Sequence, residues 1–426
     1  MVPLHRGFAP ERRLRGTDEE IGEEEVSVDA EEARTIGRRL RQIRKSRGKP
    51  LVVIAGLAGT SKSQLDRIER GEVALDKLSE IVALANALQI APGALMRLPV
   101  PAPANGHTDS ATEAVRQALD AIDADCLDGL VLPVAVLQDQ VARIHAQHRA
   151  CQFAEVASDL PALIRNLHTT LATGTDCGEL LDLAVYLHTH VTRLWLFRVT
   201  APDDLIRRTV FLAQRLAQQR GETTTLGMAG FGVADVLLSG GAFELGQAVL
   251  DSLTVPPVTA ETASLVCWLT MCHAQAAVLG GRLGDVTAPM DAAAELAERF
   301  EATEGTSILG FAYTRADVGL VRMNLALEAG EPDQAVSIAR DVHPEHHPFP
   351  SGRAHYWMHY GRALARLRGR RDDAVRALRT AEDIFPIKVR RDPLVRDVIA
   401  TLLPGARRDA IGMELRGMAH RAGLSV

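Results

Sequence analysis

The sequence predicts an all-α protein, and three observations predict it. Alanine and leucine, both strong helix formers, crowd long stretches, while aromatic residues make up only 4% of the chain. Apolar residues recur at i, i+4 and i+7, the period of a helix with one buried face. Glycine and proline interrupt these stretches at short intervals, and such residues close one helix and open the next. The 426 residues are 46% apolar and 24% charged, with a mean hydropathy of zero. That is the composition of globular domains, and the length accommodates roughly two to four of them.

The same numbers exclude several classes. The longest uninterrupted apolar run, Leu51–Gly59, is far shorter than the ~18 residues a membrane span needs. Met1–Pro10 holds no apolar segment of secretory type, so no membrane association and a cytoplasmic location are expected. Cys126, Cys151, Cys177, Cys267 and Cys272 are odd in number, dispersed and without CxxC pairing, which argues against disulfides and zinc fingers.

Charge is unevenly distributed. Residues 1–32 carry 4 basic and 10 acidic side chains, and the run Asp18–Glu32 reads as a solvated, disordered tail. Residues 33–71 carry 11 basic residues against Asp66 and Glu69 alone, a balance of +9 inside a chain of net charge −6. Arginine outnumbers lysine 43 to 5, so a single arginine carries little weight, but four of the five lysines (Lys45, Lys49, Lys62, Lys77) fall in or beside this block. A compact basic module between acidic neighbours has the electrostatic footprint of nucleic-acid binding, since each phosphate contact releases condensed counterions.

Within the basic module the helices follow one another closely. Ile36, Leu40 and Ile43 form the apolar stripe of a first helix ending near Gly48, with Arg38, Arg41, Arg44, Lys45 and Arg47 on its exposed face. Pro50 opens a short second helix over Leu51–Leu57, and Gly59 supplies the turn. Ser61 is placed to cap a third helix, Lys62–Arg70, which Gly71 ends. Two more helices, near Leu75–Leu88 and Pro92–Arg97, complete a five-helix core over residues 33–97.

The pattern Ala55-x3-Gly59-x-Ser61-x3-Leu65-x2-Ile68-Glu69-x-Gly71, with the segment GTSKSQLDRIERG, resembles the lambda-repressor/Cro-type helix-turn-helix domain of the XRE regulators. In that arrangement Ala55 and Gly59 allow two helices to cross closely, while Leu65 and Ile68 anchor the second. The resemblance implies that the N-terminal half of the helix from Lys62 enters the major groove of double-stranded DNA. Lys62, Ser63, Gln64 and Arg67 then face the bases. Arg67 suits guanine O6/N7 and Gln64 suits adenine N6/N7, each good pair contributing roughly 1–3 kcal/mol of discrimination. Thr60, Ser61, Arg41 and Lys49 suit phosphates and would fix register. Asp66 is expected to pair locally with Arg70 or Lys62. Many members of the family carry a polar residue where this chain has Leu51, so that contact is expected to be missing or apolar.

Prolines 99, 101 and 103 make residues 98–110 an extended spacer. From 111 to 426 the chain reads as helix after helix. Gly369-x4-Ala374-x6-Ala381-x4-Pro386 matches the second half of a tetratricopeptide (TPR) repeat; Gly330-x4-Ala335 and Gly241-x4-Gly246 are partial copies. A TPR-like α-solenoid is therefore expected. The whole layout resembles long TPR-like XRE regulators of actinobacteria and, more loosely, peptide-sensing quorum regulators. The latter resemblance implies a homodimer reading an inverted repeat and a peptide or small-molecule signal held by inner-face asparagines, here Asn166 and Asn324.

No enzyme is expected and no cofactor motif is present: GxSxG, GxxxxGK[ST] and a strand-borne GxGxxG are all missing. His355 and His359 stand at i, i+4, and His343, His346 and His347 lie nearby, but without an HExxH glutamate they read as surface histidines and not as a metal site. Cys267 and Cys272 read as core residues. Asp203–Asp204 and Asp372–Asp373 read as helix-start residues. The function expected is a sequence-specific DNA-binding transcriptional regulator with a sensing body. The reading next in line is a TPR-like protein–protein adaptor in which DNA contact is secondary.

Overall fold

A computed structural model describes residues 35–96, 106–299 and 314–424. The acidic tail and the prolines at 99, 101 and 103 lie outside the described residues. Those described are all-α, with no strand among them.

The head comprises α1 (Ile36–Ser46), α2 (Leu51–Leu57), α3 (Lys62–Glu69), α4 (Leu78–Ala87) and α5 (Pro92–Met96). The Thr35 side chain caps α1 by accepting from the Arg38 amide at 3.1 Å. Ile36, Leu40, Ile54, Leu65, Ile68, Leu75, Ile81, Leu84 and Leu95 are fully buried in a core of the head's own. The fourth helix begins at Leu78 rather than Leu75, because Leu75 and Asp76 are drawn into contacts with the body.

The body begins with α6 (Gly106–Asp123), five residues earlier than the proline pattern suggests, followed by α7 (Val134–Arg149), α8 (Phe153–Leu171) and α9 (Cys177–Tyr186). A π-helical turn, Leu187–Thr192, leads into α10 (Arg193–Arg198). Next come α11 (Asp203–Arg220), α12 (Thr223–Ser239), α13 (Phe243–Asp251), α14 (Ala260–Leu279) and α15 (Thr287–Arg299). The chain continues through α16 (Arg315–Ala329), α17 (Pro332–Ala339), α18 (Pro350–Arg366) and α19 (Arg371–Ile384). It closes with α20 (Pro386–Arg391), α21 (Pro393–Leu402) and α22 (Ala410–Arg421).

Consecutive helices from α12 to α19 pack in hairpins, α18 against α19 most extensively. The small residues have the local effects their spacing suggested. Gly241, Gly330 and Gly369 each take a positive φ at a helix end, at 84°, 86° and 77°. Ala335, Ala374 and Ala381 are fully buried at the crossings, and a Cβ on Gly361 or Gly246 would press on Leu378 or Leu238. Asp203–Asp204 and Asp372–Asp373 do occupy first turns. The body core forms two large clusters, one running mainly from α6 to α16 and the other from α16 to the C-terminal helices, with a smaller one of Leu320, Met323, Ala339, Val342 and Tyr356 between α16, α17 and α18.

Among the described residues α14 alone is long and apolar enough to cross a membrane. Counting uninterrupted apolar residues overlooks it, because Thr262, Ser264, Thr270 and His273 break the run. Here 12 of its 20 residues are buried, and it packs on α12, α13, α15 and α16. A helix apolar on every side belongs at the centre of such a body.

The head does not stand clear of the body. Asp397 on α21, fully buried, accepts from the Ile36 amide at 2.7 Å and the Leu75 amide at 2.8 Å, one with each carboxylate oxygen. Glu328 on α16 accepts from the Leu78 amide at 2.8 Å and so caps α4 from outside the head. Arg362 donates to the Asp76 carbonyl at 2.7 Å, and Arg366 pairs with the Asp76 carboxylate. Leu394 packs into the head core and Val82 against Gly241. Three buried carboxylates, Asp397, Glu328 and Asp76, thus hold the head on the body.

Candidate nucleic-acid interface

The helix-turn-helix is built from α2 and α3. Gly59 adopts φ +68° between them, and the Thr60 amide bonds back to the Ala55 carbonyl at 2.9 Å. Ser61 caps α3 as its position suggests, accepting from the Gln64 amide at 3.0 Å. Leu65 and Ile68 are fully buried, which turns the opposite side of α3 outward. The close approach in the head involves a different glycine from the one expected. Nothing would meet a Cβ on Gly59, whereas one on Gly37 would overlap the Ile68 carbonyl, so it is α1 that lies tightly on α3.

The outward side of α3 presents Lys62, Ser63 and Arg67, all exposed, with Ser61 before them and Gln64 and Thr60 half-buried alongside. Asp66 pairs with Arg70 at 3.1 Å, the first of the two local partners expected. Sequence reading missed Glu72, which binds Arg70 at 2.9 Å and lies 3.8 Å from Arg67. The Arg67 side chain remains half exposed.

Arg44 corrects the charge reading of α1. Rather than facing solvent, its side chain is only 13% exposed and grips buried Glu69 with two bonds of 2.6 and 2.7 Å. Its third contact, 2.9 Å to the Lys49 carbonyl, ties the α1–α2 loop to the end of α3. Lys49 is thereby brought beside α3 with its own side chain exposed, and Arg41 is exposed on α1. Arg47 is likewise engaged, bonding the Leu88 carbonyl. Leu51 is half-buried against the head core, while Val52, Val53 and Leu57 are exposed, giving α2 an apolar outer face.

Other sequence candidates are not gathered at this surface. Asn166 on α8 accepts from the Leu130 amide at 2.8 Å and fastens the loop before α7. Asn324 is half-buried on α16. The expected surface histidines are not all at the surface. His347 is buried and bonds Asp317 at 2.8 Å, and half-buried His355 bonds the Ser351 carbonyl at 2.7 Å. Burial holds His355 down at about 3 and His359 well below the ordinary imidazole value. No group of three metal-ligating side chains occurs among the described residues. Cys267 and Cys272 are buried in the core, and all five cysteines are free.

Residues 35–98 match the helix-turn-helix domain family. No curated protein and no solved structure matches the chain. With the capped, outward-facing α3, this match defines the head as an XRE-like helix-turn-helix DNA-binding domain, and the protein at that level as a DNA-binding regulator with DNA as a partner.

Proposed function

We propose that the protein is a cytoplasmic, sequence-specific transcriptional regulator, of the actinobacterial XRE type with a TPR-like body, and without catalysis of its own. Two copies associate through their bodies, and their α3 helices read an inverted repeat with half-sites about one helical turn apart. A peptide or small-molecule signal on the body shifts the heads by binding one arrangement better than the other. The observation that carries the reading is the side of α3 opposite Leu65 and Ile68, where Lys62, Ser63, Gln64 and Arg67 face outward together. The hairpin packing of α12 to α19 around small residues supports the TPR-like part.

Selection of genomic DNA fragments by the purified protein tests it. The expected result is an enriched inverted repeat, bound less tightly at moderate than at low salt. Arg67→Ala should relax the preference at one position of each half-site. Enrichment of nothing, with and without extract of the native host, would overturn the reading in favour of a protein-binding adaptor.

A further inference from the structure

We propose that Asp397 and Glu328, in the body, are positioning residues for DNA recognition: by fixing the direction in which the head carries α3, they set the half-site spacing that the protein accepts. This rests on the reading of two copies on an inverted repeat, and adds to it a determinant of operator choice that touches no DNA.

Backbone N–H groups at the start of a helix have no partner within it. The head leaves two such groups for the body to satisfy. Thr35 caps α1 through the Arg38 amide but leaves the Ile36 amide, which Asp397 Oδ1 takes at 2.7 Å. At the start of α4 stands Lys77, whose side chain makes no capping bond, and Glu328 Oε2 takes the Leu78 amide at 2.8 Å in its place. Asp397 Oδ2 holds the Leu75 amide at 2.8 Å, and Arg362 reaches the Asp76 carbonyl at 2.7 Å. Arg362 also lies 4.0 Å from Glu328. Arg366, paired with the Asp76 carboxylate, donates to the Leu327 carbonyl at 3.0 Å. Asp397, Asp76, Glu328 and Arg362 are all buried. The anchors come from three helices, α16, α18 and α21, so the head has no single pivot.

From this seat the path to α3 is short. Ile36 is followed by Gly37, where a Cβ would overlap the Ile68 carbonyl, so α1 meets α3 one residue from the Asp397 bond. Farther along α1, Arg44 grips Glu69 of α3 with two bonds. The direction of α3 is thus tied to that of α1, and α1 is seated by the body. The covalent join, residues 97–105, reaches up to ~30 Å and by itself would leave that direction open. Buried charged networks add little net stability over an apolar contact of the same size, but their directional bonds are all satisfied in one arrangement only. Two heads seated in this way present their α3 helices at one separation and one relative angle. One extra base pair between half-sites turns one against the other by ~34° about the duplex axis, a change that a seated head cannot follow.

The test is binding of the full-length protein to duplexes carrying its selected inverted repeat, with the centre lengthened or shortened one base pair at a time, and to a duplex with a single half-site. Wild-type protein should lose about tenfold or more in affinity within about two base pairs of its preferred spacing. Asp397→Ala combined with Glu328→Ala should flatten that profile to within about threefold while binding the single half-site within about twofold of wild type, since the head keeps its own core. Retained half-site binding separates a loosened head from an unfolded one. If the double variant does not fold, Asp397→Asn carries the comparison, because it keeps one accepting oxygen of the two, and it should widen the accepted spacing by about one base pair or more. A flat wild-type profile, or variant profiles as sharp as the wild type's, overturns the proposal. If selection yields no inverted repeat, the dimer reading falls and this proposal falls with it. A repeat whose spacing the variants read unchanged removes the positioning role and leaves the regulator standing.

Discussion

Arg44 and Arg67 look alike in the sequence and behave differently in the fold. Arg44 is a structural group: its bidentate grip on buried Glu69 joins α1 to α3. Glu69→Ala would strand that guanidinium, and the expected loss of head stability is about 3–5 kcal/mol by chemical denaturation. Arg67 is exposed, and Arg67→Ala should cost roughly 1–3 kcal/mol of binding to the selected operator and relax one base position. Glu72 holds its charge 3.8 Å from Arg67 without burying it. Glu72→Ala should therefore tighten DNA binding a few-fold, since an exposed pair of this kind contributes only ~0–1 kcal/mol and a repelling charge is removed from the DNA-facing side. Weaker binding by this variant would show that Glu72 positions Arg67 rather than competing for it.

At the scale of elements, the turn and capping chemistry was legible where it is local. Ser61, Gly59, Gly71 and the leucine-isoleucine spacing of α3 are contained in a dozen residues, and each acts as its chemistry dictates. The glycine that brings two helices together was not legible. Gly37 matters because α1 and α3, some thirty residues apart in sequence, meet there, and no local pattern records a crossing. Gly37→Ala should push α1 off α3 at a cost of about 1–3 kcal/mol or more, read as a lower denaturation midpoint. Gly59→Ala, with open space around it and φ +68°, should cost only about 1 kcal/mol. The histidines of the body were misread for a related reason. His355 and His359 share a helix face, but Phe385, from beyond the next helix, stands edge-on against His355.

Across the whole molecule, buried titratable groups set how it responds to pH. Burial holds His168 at about 4 and His145 and His355 at about 3, below the ordinary imidazole value. The stability these groups contribute is complete above about pH 6.5 and is lost as the pH falls toward their folded values, His168 alone by about 3 kcal/mol. Asp397 acts in the opposite sense. Burial pushes it up to about 7 against the two amides that bond it. Its folded state therefore takes up a proton first, and its share of stability declines as the pH rises from about 4 to 7, by at most about 4 kcal/mol. Several histidines outweigh one carboxyl, so the Tm should fall on acidification from pH 6.5 to 4, and Asp397→Asn should make the fall steeper. A carboxamide accepts through one oxygen only, so Asp397→Asn should also speed amide exchange at Ile36 or Leu75 about tenfold or more. Unchanged exchange at both would show that the head is held by the Asp76 and Glu328 contacts alone.

The bond between Ile36 and Asp397 spans 361 positions, which gives the protein an order of assembly in time. During synthesis the head emerges before the body and has a core of its own to fold around. The carboxylate that receives its first helix is made about 20–70 s later at ordinary rates of elongation. For that interval every nascent chain carries a formed α3 whose head is not yet seated, and emergence of α21 is what completes the arrangement.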